Sequence, residues 1–490
     1  MTTTFMQRLC ALIAETPASG PEHLPHVRPA FEDTLAVAFA GWHEPVTRKV
    51  AAALPGGERL RPGAAIGVDP EAAALIYGTA GHALDYDDVH LVSTTHPSVP
   101  IVPALLGAVS RDPGRAGRLA SAYAVGLAAN VGLGSVLGFA HYERGWHATS
   151  TIGPLAAAAA VAHLLGLRAE PAAHALGIAA AQAGGLQRNF GSMAKPLQAG
   201  LAAAAGVRAA LLAQAGVSAD PDVFGEKGYF ALYGGRQLAA DPEQVTFDPR
   251  ADGVCVKLYP CCYMAHRPAA AALEAHALLR QGGQRPADLA AVEIVGSQGV
   301  FTALRVSDPR TGNEAKFCGP YVVACALTDG AVELRHFEPP ALRRADLRAL
   351  MARVRLVERP HAPDAGGNID GGPIELVARD ASGAVRLRTL RETFPGSPQS
   401  PATAEQIEAK VRDCLAHHER AGGRRLTYER FQAWVDGLFA RRAAAGKRTV
   451  ARKPRGQAVR VNAVRGKAVQ AKAGRSKATQ AVRGKAARGR

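Results

Sequence analysis

Val292-Glu293-Ile294-Val295, set between Gly282-Gly283 with Pro286 on one side and a long polar stretch on the other, is where the reading of this sequence turns. Before it, from residue 1 to about 262, long Ala/Leu-rich runs are broken only by Gly and Pro punctuation such as Pro55-Gly56-Gly57 and Asp112-Pro113-Gly114. No period-two alternation is visible there, so that region predicts helices. The β-branched tetrad is the first strand signal. Val354 to Val357 is a second. Ile374–Ala378 and Val385–Thr389 predict a hairpin around Asp380-Ala-Ser-Gly383. Pro268 to Arg280 predicts a helix ahead of the first strand.

After Pro401 the helical pattern resumes. Thr403 and Gln406 make a capping box before a helix through about Arg420. Phe431, Trp434, Val435, Leu438 and Phe439 share one helical face. The expected architecture is therefore mainly α with an inserted α+β domain: a large helical domain plus a smaller α+β lid. The predicted boundaries are 1–262, 263–395, 396–444 for helices that return to the first domain, and a tail over 445–490.

The chain has 490 residues and a formal charge of +16, but that charge is local. Of 58 Lys and Arg, 17 lie in 441–490, where there is no Asp or Glu. The first 440 residues keep 41 basic against 42 acidic side chains. The tail, rich in Ala, Gly, Lys and Arg, cannot bury a core and is expected to be disordered, with phosphate contacts to nucleic acid as its sharper reading. Seven cysteines at spacings that match no zinc pattern, with no secretory signal, predict a reduced cytoplasmic setting. Ile152–Leu167 is Ala-dominated and carries His163. It is read as a buried helix, too short and too weakly apolar to span a membrane.

Five segments set polar groups in apolar surroundings: Gly81-His-Ala-Leu-Asp85-Tyr-Asp87-Asp88-Val89-His90 followed by Thr95-His96-Pro97-Ser98; Gly145-Trp146-His147-Ala148-Thr149; Gly191-Ser-Met-Ala-Lys195-Pro-Leu-Gln198-Ala-Gly200; Val256-Lys257-Leu-Tyr259-Pro260-Cys-Cys262 with His266-Arg267; and Ala315-Lys316-Phe317-Cys318-Gly319-Pro320-Tyr321. Read as a helix, the first would place Asp85 and Asp88 on one face. Asp85, Asp87, Asp88, His90 and His96 have the donor types for a divalent cation, but no second acidic cluster completes such a site, and no metal is expected. The alternative is acid–base work on a polyanion. Lys195, Lys257, Arg267, His96 and His147 would supply positive charge and donors, and Asp85, Tyr321 and the histidines have the right types for proton transfer. No phosphate-binding glycine loop and no Gly-x-Ser-x-Gly elbow appears, so neither a nucleotide cofactor nor acyl transfer is expected.

Taken in order, from roughly residue 30 to 420, these segments resemble the MmgE/PrpD family. The resemblance implies a helical domain with an inserted lid, a homodimer, and an active site in the cleft. It implies no cofactor and a small polycarboxylate substrate. By motif it places Asp85, His96, His147 and Tyr321 in catalysis, and Lys195 and Lys257, with His266 and Arg267, on the substrate. The leading reaction is a hydro-lyase step like that of 2-methylcitrate dehydratase. Epimerisation of an imino-dicarboxylate is next, and a non-catalytic metabolite binder with a nucleic-acid-binding tail is a third. Val89, Cys262 and Gln198 depart from the decarboxylase-like pattern, which has Thr, His and His there.

Overall fold

The structure, a computed structural model, describes residues 3–63, 69–234, 238–247, 253–360 and 372–440. The tail over 445–490, with its expected disorder and nucleic-acid contacts, lies outside them.

The first part is helical, as its punctuation predicts. Its elements are α1 (Phe5–Glu15), α2 (Val27–Ala40), α3 (Pro45–Ala53), α4 (Pro70–His82), α5 (Ser98–Arg111), α6 (Leu119–Glu143), α7 (Ala148–Leu165), α8 (Ala169–Ala180), α9 (Ala194–Gln214) and the short α10 (Tyr229–Gly234). Small residues set how closely these helices approach. A Cβ on Gly78 of α4 would sit 2.8 Å from the Gly200 Cα of α9, and one on Gly206 of α9 would sit 2.4 Å from the Ala157 Cβ of α7. α9 is thus wedged against α4 and α7 almost backbone to backbone, which no larger side chain would allow.

Three helical stretches, 113–143, Ala148–Leu165 and Ala194–Gln214, are long and apolar enough to cross a membrane by length and composition. The sequence reading of Ile152–Leu167 as too short is corrected here, since α7 has 18 residues. Protein covers these helices: the most apolar windows of the three are 78%, 100% and 72% buried.

The second part carries α11 (His266–Gln281), β1 (Ala291–Ser297), α12 (Gly312–Ala315), α13 (Gly319–Asp329), α14 (Pro339–Leu342), α15 (Ala345–Met351), β2 (Val354–Arg359), β3 (Ile374–Arg379) and β4 (Val385–Arg391). The sheet order is β2-β1-β3-β4. β1 runs parallel to β2 and antiparallel to β3, and β3–β4 is the hairpin read from the sequence. Val292 and Ile294 of β1 are fully buried. They join Val322 and Val323 of α13 and the Ala-rich face of α11 in one hydrophobic core.

A separate core unites α1–α9. Val411, Cys414 and Leu415 of α16 (Ala404–Arg420) and Phe431, Val435 and Leu438 of α17 (Tyr428–Ala440) enter it too. The capping box at Thr403 and Gln406 starts α16. The last helices therefore rejoin the first core, with the mixed sheet between them in sequence.

Candidate active site

Three helices begin at one place between the two cores. His96 and Pro97 lead into α5, His147 is the N-cap of α7, and Lys195 is the second residue of α9. Their N-termini carry partial positive charge and unsatisfied N–H groups, which suits an anion. The chain between α4 and α5 fills the middle.

That chain is not the helix read from the sequence. α4 stops at His82, and Asp85 takes a left-handed backbone with φ of 52°. Asp tolerates this conformation better than most residues, but it ends a helix. Downstream, Val89 and Cys255 exchange both backbone hydrogen bonds (2.9 and 2.7 Å), and the His90 N–H donates to the Thr95 carbonyl at 2.9 Å. Asp85 and Asp88 consequently point to different sides instead of sharing a helical face.

The turn sends Asp85 between two lysines. Lys257 Nζ donates to the Asp85 carbonyl at 2.8 Å and to Oδ2 at 3.0 Å, and Lys195 Nζ holds Oδ1. All three residues are buried. Burial pushes the Asp85 carboxyl up, but Lys195 and Lys257 outweigh it and hold it well below the usual range. Burial disfavours the Lys257 ammonium, yet Asp85 beside it leaves its pKa raised. Lys195 also lies 5.4 and 5.2 Å from the ring centroids of Phe190 and Phe317, within cation–π range.

Beside this pair stand three stacked or edge-on imidazoles. His82 is 4.5 Å from His96 and 5.5 Å from His147, centroid to centroid. One oxygen of the fully buried Asp87 serves two of them: Oδ2 lies 2.8 Å from His82 Nδ1 and 3.2 Å from His96 Nδ1. The His96 N–H donates to Thr149 Oγ1 at 3.0 Å, which ties the loop to α7. His147 Nδ1 meets Gln198 Oε1 at 2.7 Å. An amide oxygen only accepts, so His147 carries its proton on Nδ1 and leaves Nε2 as an acceptor. That Nε2 is buried and has no hydrogen-bond partner among the described residues.

Burial pushes His147 well below its ordinary pKa, with His82 and Lys195 adding to the effect. Burial takes His82 down to about 4 despite Asp87. Both imidazoles are neutral at pH 7. The Asp87 carboxyl is pushed up by burial and held well below its usual range by His82 and His96.

These groups border a cavity of about 40 Å³, lined among others by Asp85, Thr94, His96, His147, Lys195 and Met264. Lys257 is not on its wall. With 1% exposure, Lys257 grips Asp85 from behind, and only Lys195 faces the cavity. Asp85, His96, His147, Lys195 and Lys257 are thus brought together. The other three expected residues are not.

Tyr321 is buried in the second core, and its hydroxyl donates to the His336 carbonyl at 2.6 Å. Its hydroxyl is thus bonded within the second core, and Tyr321 does not line the cavity. His266 is packed against the rings of Tyr259, Tyr263 and Phe394. Arg267 Nη1 donates to the Gly372 carbonyl at 2.6 Å and faces a separate small pocket behind Tyr263 and Met264. Neither lines the cavity.

Sequence reasoning passed over His82, Lys316 and the positive meaning of Gln198. His82 stands inside the quoted first segment, but a histidine at a helix end carries no signal of its own. Lys316 is buried and its Nζ donates to the Ala83 carbonyl at 3.3 Å, at the end of α4. The five-residue metal set is not gathered. His82, Asp87 and His96 are, with one donor atom from each within 4.8 Å of the others. The same three residues form the Asp87-centred cluster described above, with Asp87 Oδ2 between His82 Nδ1 and His96 Nδ1.

Profiles of the MmgE/PrpD N-terminal and C-terminal domains match residues 7–240 and 259–431. Cis-aconitate decarboxylase of Homo sapiens is 30% identical over 363 residues, covering 71% of this chain and 73% of that protein. Cis-aconitate decarboxylase of Mus musculus is 28% identical over 365 residues, covering 70% and 71%. A cis-aconitate decarboxylase-like protein of Aspergillus oryzae is 28% identical over 407 residues, covering 78% and 83%.

Proposed function

The chain belongs to the MmgE/PrpD family, and from that premise we propose that it is a lyase that moves a proton at a carbon beside a carboxylate of a small polycarboxylate. The observation that carries the reading is the neutral His147, its Nε2 without a hydrogen-bond partner among the described residues, on the wall of the same small cavity as Lys195. A neutral imidazole has a lone pair that can accept a proton, and an ammonium in low dielectric stabilises the charge that proton removal creates.

In the leading form, His147 Nε2 takes the proton from the carbon beside a carboxylate. The C–H electron pair spreads onto that carboxylate, facing Lys195. The hydroxide on the next carbon leaves with a proton from His96, the double bond forms, and water is released. Asp85 keeps both lysines in place. Lys257 uses two of its three N–H bonds on Asp85, whereas Lys195 keeps donors for the substrate. A cavity of about 40 Å³ does not hold a tricarboxylate, so the two cores part to admit it.

Decarboxylation is the second reading, favoured by what the three relatives are named for. There the C–C bond to a carboxylate breaks, carbon dioxide leaves, and the electron pair left on carbon takes a proton from an imidazolium. The proposal includes the homodimer and the cytoplasmic setting. The seven cysteines, all buried free thiols, agree with the latter.

The test is a substrate panel. Citrate, 2-methylcitrate, cis-aconitate and iminodisuccinate are incubated with the full chain, and alkene absorbance and released carbon dioxide are followed. Alkene formation or hydration without carbon dioxide supports the leading form. Carbon dioxide release selects the second. No change in any of the four refutes the reading of the substrate class.

A further inference from the structure

A second cavity, of about 300 Å³, lies back to back with the first. The shared wall is made of the 254–257 segment, whose side chains alternate between faces, and of the turn that begins at Asp85. In one, Lys257 turns to Asp85 while Val254 and Val256 line the second cavity. In the other, Asp85 faces the lysines while Asp88 lines the second cavity.

The two chambers have opposite character. The first is faced by Lys195. The second is mostly apolar, with Leu127, Ile407 and the Tyr123 ring among its walls, and its acidic groups are Asp33 and Asp88. Asp33, on α2, is only 3% exposed. Its Oδ1 meets Lys410 Nζ of α16 at 2.5 Å, and its Oδ2 has no hydrogen-bond partner among the described residues. Asp88 accepts the Ser98 N–H at 3.2 Å and the Ser98 hydroxyl. A buried carboxylate oxygen beside a cavity of this size, with no donor, is an unmet demand for one.

We propose that this cavity is a second ligand site, and that it takes a small organic ammonium: an apolar body with one N–H-bearing cationic head. The apolar walls call for the body. The free Oδ2 of Asp33 calls for a donor, and an ammonium brings three. The mostly apolar walls offer a polycarboxylate no cationic partner beyond the Lys410 already paired with Asp33, so the acid proposed for the first chamber does not suit this one. The inference stands on the cavity and Asp33 and does not depend on the reaction at Asp85.

The experiment is calorimetric titration of the full chain with benzylammonium chloride, with benzyl alcohol as the neutral molecule of the same shape. The wild type should bind benzylammonium at a single site with a Kd in the millimolar range or below, as suits so small a ligand. Benzyl alcohol and the Asp33→Asn variant should each bind at least tenfold more weakly. Ala30→Phe, which fills the cavity from the α2 side, should abolish binding. Binding that survives Ala30→Phe, an equal affinity for benzyl alcohol, or no saturable heat in the wild type overturns the proposal. Should Asp33→Asn fail to fold by circular dichroism, the alcohol control and Ala30→Phe decide alone.

Discussion

Asp88→Asn should flatten the pH dependence of stability between pH 5 and 8. Asp88 is fully enclosed, and burial takes its carboxyl from 3.8 to about 7, against the opposing hydrogen bonds from Ser98. The folded protein therefore keeps a proton that the unfolded chain releases above about pH 4. Stability from this group is present below the unfolded pKa and declines as pH rises towards 7, after which it is flat. About three units of difference correspond to roughly 4 kcal/mol over the whole range, of which roughly 2–3 kcal/mol falls between pH 5 and 8. Asparagine keeps the shape and can still accept the Ser98 N–H, but it does not ionise. The assay is urea unfolding of both proteins at half-unit steps of pH. The variant should gain about 2–3 kcal/mol relative to wild type from pH 5 to 8. The depressed carboxyls Asp85 and Asp87 act the other way, since their contribution is lost as pH falls below the unfolded carboxylate range. They are common to both proteins and cancel in the difference. Parallel profiles for the two proteins would refute the assignment of a buried, proton-holding Asp88.

Further outcomes follow from the same geometry. Lys257→Ala should cost about 3–5 kcal/mol in urea unfolding, because it strips one partner from a buried carboxylate. Lys195→Ala should raise KM for the polycarboxylate more than Lys257→Ala does, since Lys195 alone faces the cavity; equal KM values would contradict that division. Asp87→Asn should lower kcat with little change in KM and shift the pH–rate profile, because one oxygen holds both His82 and His96. A change in KM alone would contradict the positioning role. Chelation with EDTA should leave turnover intact. Loss of activity restored by added zinc or manganese would instead make His82, Asp87 and His96 a metal site.

Much of the fold was legible because its signals are local. The hairpin from Ile374 to Arg391, the capping box at Thr403 and the Ala-rich helices each follow from a few neighbouring residues. The site was legible as a set of segments but not as geometry. Asp85 reads as helical until its left-handed turn is known, and that turn is held by Lys195 and Lys257, 110 and 172 residues away. Tyr321 matched a motif, yet its hydroxyl is spent on His336, fifteen residues along. His266 and Arg267 sit next to Cys262 in sequence, but α11 carries them away from the cavity that Cys262 lines. A pattern of residue types does not tell which side of a wall a side chain faces.

The most direct test of the central claim is proton NMR in D₂O, with the full chain, its His147→Gln variant, and citrate, 2-methylcitrate and cis-aconitate offered in turn. The account predicts solvent deuterium on the carbon beside a carboxylate for at least one of these acids with the wild type, and its loss in the variant while binding persists. Hydration or decarboxylation of cis-aconitate without solvent deuterium on the product carbon, or deuterium entering equally with His147→Gln, would contradict proton transfer through that imidazole.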